Sequence, residues 1–310
     1  MNTQSNAVPG VPLDSPVNPL TAMSTTRPFY WSVRREFWEN RSLYLAPLAA
    51  AAVFLFGFLI STMTLPHRMR ALLALDPAKQ REVIAMPYDM AAGLIMVVTL
   101  IVSVFYCLDA LYGERRDRSI LFWKSLPVSD LTAVLAKASI PIVFLQLLAF
   151  AITFALQGIM LLLSSAVLVG NGLSVAALWS QLSFFQMSLV LLYHLVAMHG
   201  LWYAPLYSWL LLVSSWARRV PFLWAILPLL AIGMVEKIAF NTSYFVALLE
   251  YRLGGGDDAA MTATGSFPID PMSHLTPGRY LSAPGVWLGL IVAAVFLVIA
   301  AQRRRNREPS

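Results

Sequence analysis

The chain alternates between long apolar runs and short polar connections, and six of the runs are long enough to cross a membrane. A helix needs about 20 apolar residues to span a ~30 Å hydrocarbon core. Residues 43–62, 90–110, 139–167, 184–215, 220–238 and 284–302 meet that length. The second run ends on Asp109, and the third stops before Gly170-Asn171-Gly172. The fourth contains Gly200 and Pro205. The fifth is interrupted by Pro221 and Pro228 and closed by Glu236 and Lys237. Between Lys137 and Arg218 there is no Asp, Glu, Lys or Arg at all. No soluble fold covers that much apolar surface, so the solvent is lipid. The pattern predicts an all-α polytopic membrane protein with six transmembrane helices. A break of the fourth run at Gly200 would make seven.

Charge placement orients the spans. With six spans and both termini on the cytoplasmic side, that side carries Arg27, Arg34, Arg35, Arg41, Arg115, Arg116, Arg118, Lys124, Lys137, Arg218, Arg219, Arg303, Arg304, Arg305 and Arg307. These are 15 of the 22 basic residues, as the positive-inside tendency requires. Seven spans would put the terminal arginines outside. The segment 63–89 is the discordant one, an outer loop carrying Arg68, Arg70, Lys79 and Arg81.

Residues 1–26 are polar and proline-rich and carry no Lys or Arg, so they read as a disordered cytoplasmic tail rather than a signal peptide. Residues 27–310 read as a single six-span transmembrane domain. Residues 28–41 are amphipathic: Tyr30, Val33, Phe37 and Trp38 fall on one side of a helical wheel, and Ser32, Arg35, Glu36, Glu39 and Asn40 on the other. They predict a helix lying on the cytoplasmic membrane surface, with a plain basic anchor for the first span as the alternative. Residues 241–283 predict a flexible external loop with a short helix near the membrane surface. There is no internal repeat of the kind an inverted-repeat transporter carries.

Composition changes this picture little. Charged residues are 12% of the chain, against roughly 25% in soluble domains, which again excludes a soluble fold. The net charge of +6 does not indicate nucleic acid, because the arginines flank the spans. The single cysteine, Cys107, lies in an apolar run and reads as a small buried hydrophobe. His194 and His199 are five residues apart, so on an α-helix they point some 140° apart and cannot share a metal unless the helix unwinds. No metal site and no catalytic residue is expected. Gln146, Thr153, Gln157 and Ser164 form a polar stripe on the third span. Such a stripe faces protein or water, which leaves two readings: a lining of a translocation path, or hydrogen bonding between helices. Gly200, Ala204 and Ser208 form a small-residue face suited to close helix packing.

The segment between the second and third spans carries the most information. It reads Glu114-Arg115-Arg116-Asp117-Arg118-Ser119-Ile120-Leu121-Phe122-Trp123-Lys124-Ser125-Leu126-Pro127-Val128-Ser129-Asp130. Charge is dense here and nearly absent on both sides. Phe122 and Trp123 are interleaved, Pro127 breaks the chain, and Ser129 or Asp130 can cap a new helix. A short helix on the cytoplasmic face, with one apolar and one charged side, suits this composition.

This segment, with the surface helix before span one, the six-span count, the long external segment before span six and the basic terminus, resembles the ABC-2 type permeases. These are the membrane subunits of ABC exporters. The resemblance implies that the 114–130 loop is a coupling helix docking on a separate ATP-binding subunit through Glu114, Arg115, Arg116, Asp117, Arg118, Phe122, Trp123, Pro127, Ser129 and Asp130. It also implies a location in the bacterial inner membrane and a second permease copy or paralogue as dimer partner. The chain has no Gly-x-x-x-x-Gly-Lys-Ser/Thr loop, so ATP and Mg are expected on the partner ATPase and no cofactor on this chain. The outer loop 63–89 is longer and more basic than the family pattern. The alternative to a transporter is a polytopic scaffold or sensor without an ATPase partner.

Overall fold

The computed structural model describes residues 26–72, 76–117, 129–254 and 277–306. Residues 1–25 of the expected tail 1–26, and Arg118, Phe122, Trp123 and Pro127 of the loop, lie outside them. The described residues form helices and no strands: α1 (Thr26–Glu39), α2 (Ser42–Thr62), α3 (Leu65–Leu72), α4 (Pro77–Ala110), α5 (Tyr112–Arg116), α6 (Asp130–Ser139), α7 (Leu145–Gly170), α8 (Ala176–Gln181), α9 (Phe184–His194), α10 (Ala204–Trp216), α11 (Pro221–Phe240), α12 (Tyr244–Leu253), α13 (Pro277–Ser282) and α14 (Pro284–Asn306). Two π-helical segments, Ile140–Phe144 and Leu195–Trp202, join α6 to α7 and follow α9. Six helical runs are long and apolar enough to cross a membrane: Ser42–Thr62, Lys79–Arg116, Asp130–Gly170, Leu178–Trp202, Pro221–Phe240 and Pro284–Asn306. The protein is therefore a multi-pass, all-helical membrane protein.

Boundaries differ from the hydropathy pattern where start signals lie outside the apolar runs. The helix that carries the second span begins at Pro77, ahead of the apolar run from residue 90, because Asp76-Pro77 is a helix start: Pro suits the first turn, where its missing N–H costs nothing. The expected outer loop 63–89 is thus α3 and the first turns of α4. The third span extends down to Asp130, capped as expected by Ser129, whose Oγ accepts from the Thr132 N–H at 3.1 Å. Pro141, which has no N–H to give back to the preceding turn, lies where this helix widens into a π turn. Gln146 Nε2 then donates to the Pro141 carbonyl at 2.8 Å.

The fourth run is not broken into two spans. At one end, Trp179 Nε1 donates to Ser165 Oγ near the end of α7. At the other, Ser214 Oγ accepts from the N–H groups of Leu111 and Tyr112 after α4. The chain from 178 to 216 therefore crosses once, with its geometry changed at 195–202 ahead of Pro205. The face of the bundle holding α1, the ends of the 111–130 loop and the end of α14 is called here the loop face. Both described ends of the chain lie on it.

At the loop face a core of Val33, Leu43, Cys107, Val134, Leu145, Tyr207, Leu211 and Ala300 joins α1, α2, α4, α6, α7, α10 and α14. A second core of Phe58, Tyr88, Ile95, Leu156 and Met160 packs α2, α4 and α7. On the outside, Phe222, Leu223, Leu227, Leu230, Val235 and Ile238 of α11 are exposed, a surface suited to lipid.

Candidate functional site

Four helices bring charged side chains into the apolar loop-face core. Glu36 of α1 is 3% exposed, and its carboxylate accepts from Lys137 Nζ of α6 at 2.7 Å and from the Tyr106 hydroxyl of α4 at 2.8 Å. Glu114 of α5 is 7% exposed. It lies 3.3 Å from Lys137 Nζ, 3.5 Å from Arg35 Nη2 and 3.3 Å from Arg304 Nη2 of α14. Arg304 Nε is 3.6 Å from Asp130 at the start of α6. Arg35 also pairs with Glu39 at 2.6 Å on the rim.

Three carboxylates, Glu36, Glu114 and Asp130, thus meet three cations, Arg35, Lys137 and Arg304. Desolvating an ion costs several kcal/mol, so such groups are tolerated inside only when paired. Here each buried carboxylate touches cations from helices other than its own. Glu114 and Asp130 are the two ends of the loop, so the cluster ties both ends to α1 and α14.

The expected docking residues separate into two groups. Glu114 departs from expectation: its carboxylate points into the protein, because three cations from three other helices surround it. Arg115 also turns inward, donating to the carbonyls of Ser214 and Ala217, the latter at 2.8 Å, at the end of α10. Arg116 and Asp117 are exposed and pair with each other at 3.0 Å, with Asp109 3.9 Å from Arg116. Ser129 is occupied as a helix cap.

The surface helix is also turned relative to its wheel. Val33 and Glu36 are buried, while Tyr30, Trp31 and Trp38 are exposed, Trp38 at 71%. Arg34 lies over both indoles, 5.1 Å from the Trp31 ring and 5.0 Å from the Trp38 ring. Glu36, from the polar side of the wheel, is turned inward to Lys137 and Tyr106.

The polar stripe of α7 faces neighbouring helices. Gln146, Thr153, Gln157 and Ser164 are all buried. Gln157 Nε2 donates to the Tyr88 carbonyl at 3.0 Å, and Ser164 Oγ lies 3.4 Å from the Tyr88 hydroxyl. The far face carries a second built contact. Arg252 of α12 stacks on Trp202 at 4.4 Å and donates to the Gly285 carbonyl at 2.8 Å, and burial pushes its guanidinium pKa down. Glu236 accepts from the N–H groups of Tyr244 and Phe245, capping α12 and closing the α11–α12 hairpin.

Sequence reasoning missed Glu36, Tyr106, Lys137 and Arg304 as members of one site. The signal was their rarity: lone charges at the ends of apolar spans need partners. Which partners they find depends on packing.

No protein-family model matches the chain, and no curated protein or solved structure matches it significantly. What the fold and the cluster define is a six-span helical membrane protein whose loop-face charges lock four helices together.

Proposed function

We propose that this protein is the permease subunit of an ABC exporter of the ABC-2 type, with the loop face in the cytoplasm of a bacterial cell. It works as a dimer with a second permease, driven by a separate ATPase that holds ATP and Mg. The observation that carries this reading is the buried cluster. Both ends of the 114–130 loop are joined through Glu114 and Asp130 to α1, α6 and α14, so a load on the loop is passed to those helices rather than absorbed locally. Arg116 and Asp117, paired with each other on the surface, are the exposed charged residues among the described part of the loop.

The test first asks whether a neighbouring reading frame encodes a Walker-type ATPase, and then co-purifies that ATPase with this chain. Arg116→Glu combined with Asp117→Lys reverses both exposed charges and leaves the buried cluster intact. Loss of the complex, and of ATPase stimulation by the permease, is the expected result. An unchanged complex with unchanged stimulation refutes docking through these residues.

A further inference from the structure

The segment Leu195–Trp202 is a π-helix, in which the N–H of residue i+5 bonds back to residue i, as Tyr203 N–H does to the Met198 carbonyl at 3.1 Å. That winding cancels the 140° separation expected for His194 and His199 on an α-helix. The two rings lie side by side, with centroids 5.6 Å apart, and the Tyr203 ring lies 5.6 Å from His199 on the same strip. The π segment is held open by close packing: a Cβ on Gly200 would fall 2.7 Å from the Ile142 carbonyl of the other π segment. Wide turns of this kind are rare and occur frequently at functional sites.

We infer that His194 and His199 together bind a late first-row transition-metal ion, copper(I) foremost. With metal–nitrogen bonds of about 2.0 Å and about 1.1 Å from ring nitrogen to ring centre, two imidazoles on one ion have centroids roughly 5–6 Å apart. The observed 5.6 Å falls in that window. Two imidazoles leave the remaining coordination positions to an outside donor, and among the described residues no group of three or more His, Cys, Asp or Glu side chains converges. Imidazole suits copper and zinc. With no carboxylate in the pair and apolar surroundings, the monovalent ion has less charge to desolvate. The inference is independent of the permease reading, because binding needs neither an ATPase nor transport.

Purified full-length protein in detergent is loaded with copper(I) under ascorbate, or with zinc(II), then desalted, and metal per chain is measured by atomic spectroscopy. Wild type is expected to retain about one copper ion per chain, with nitrogen ligation at about 2.0 Å in the copper absorption edge. His194→Gln and His199→Gln, singly, are each expected to weaken retention at least tenfold. His67→Gln, on exposed α3, is expected to leave it unchanged. Retention of zinc instead, with the same dependence on both histidines, supports the site and changes the ion. Wild-type protein that retains neither metal, or single variants that retain as much as wild type, overturns the inference.

Discussion

Replacing Lys137 by Met tests whether the buried cluster holds the loop face together. Lys137 Nζ bridges Glu36 at 2.7 Å and Glu114 at 3.3 Å. Without it, Glu36 keeps the Tyr106 hydroxyl and Glu114 keeps Arg35 and Arg304 among the described residues. Met fills nearly the same volume as the lysine stem, so little cavity is created. The cost is that of stranding buried negative charge, about 3–5 kcal/mol. At roughly 2–4 °C per kcal/mol for a chain of this size, the melting temperature falls by about 10 °C. The assay is thermal unfolding in detergent followed by intrinsic fluorescence. Adding Glu36→Gln removes the stranded charge while keeping an acceptor for Tyr106, so the double variant is expected to recover at least half the loss. A Lys137→Met protein melting within about 2 °C of wild type, or a double variant no better than the single, refutes the reasoning.

Two further predictions concern backbone geometry. Gly200→Ala places a Cβ 2.7 Å from the Ile142 carbonyl, a backbone atom that cannot step aside, so the two π segments separate at a cost of about 1–3 kcal/mol, read as a lower melting temperature. Val220 has φ 47° between Arg219 and Pro221, a left-handed conformation that a β-branched residue resists. Val220→Gly is expected to raise stability by about 1 kcal/mol in the same assay, and a loss would show that the Val220 side chain contributes packing larger than its strain.

The spans were legible because hydropathy is local: a run such as 284–302 declares itself whatever surrounds it. The start of α4 at Pro77 was legible too, through Asp76-Pro77, but that signal lies in a polar stretch where a search for apolar length does not look. Other features depend on partners distant in sequence. Glu36 sits 78 residues before Glu114 and 101 before Lys137, so a helical wheel assigned it to the solvent side. The same limit applies to His194 and His199. A spacing of five gives opposite faces on an α-helix, and adjacent ones once the segment before Pro205 widens to a π turn.

The two groups of loop residues divide one stretch of charge between the inside of the protein and its surface. Glu114 and Arg115 face inward, Glu114 beside three cations and Arg115 donating to two carbonyls, whereas Arg116 and Asp117, which follow Arg115, face outward. On a helix, successive residues turn by about 100°, so a short α5 presents its inner and outer charges within a single turn. A force on Arg116 therefore acts within one turn of Glu114, and Glu114 cannot move without disturbing Lys137 and Arg304. Because those cations have no water to turn to, they follow their carboxylate or strand it. On the proposed reading, coupling between the loop and the spans rests on the cost of leaving a buried ion unpaired, which makes reversal of surface charge and removal of Lys137 separable experiments: the first should break the proposed contact and spare the fold, and the second should loosen the fold and leave the outer charges in place.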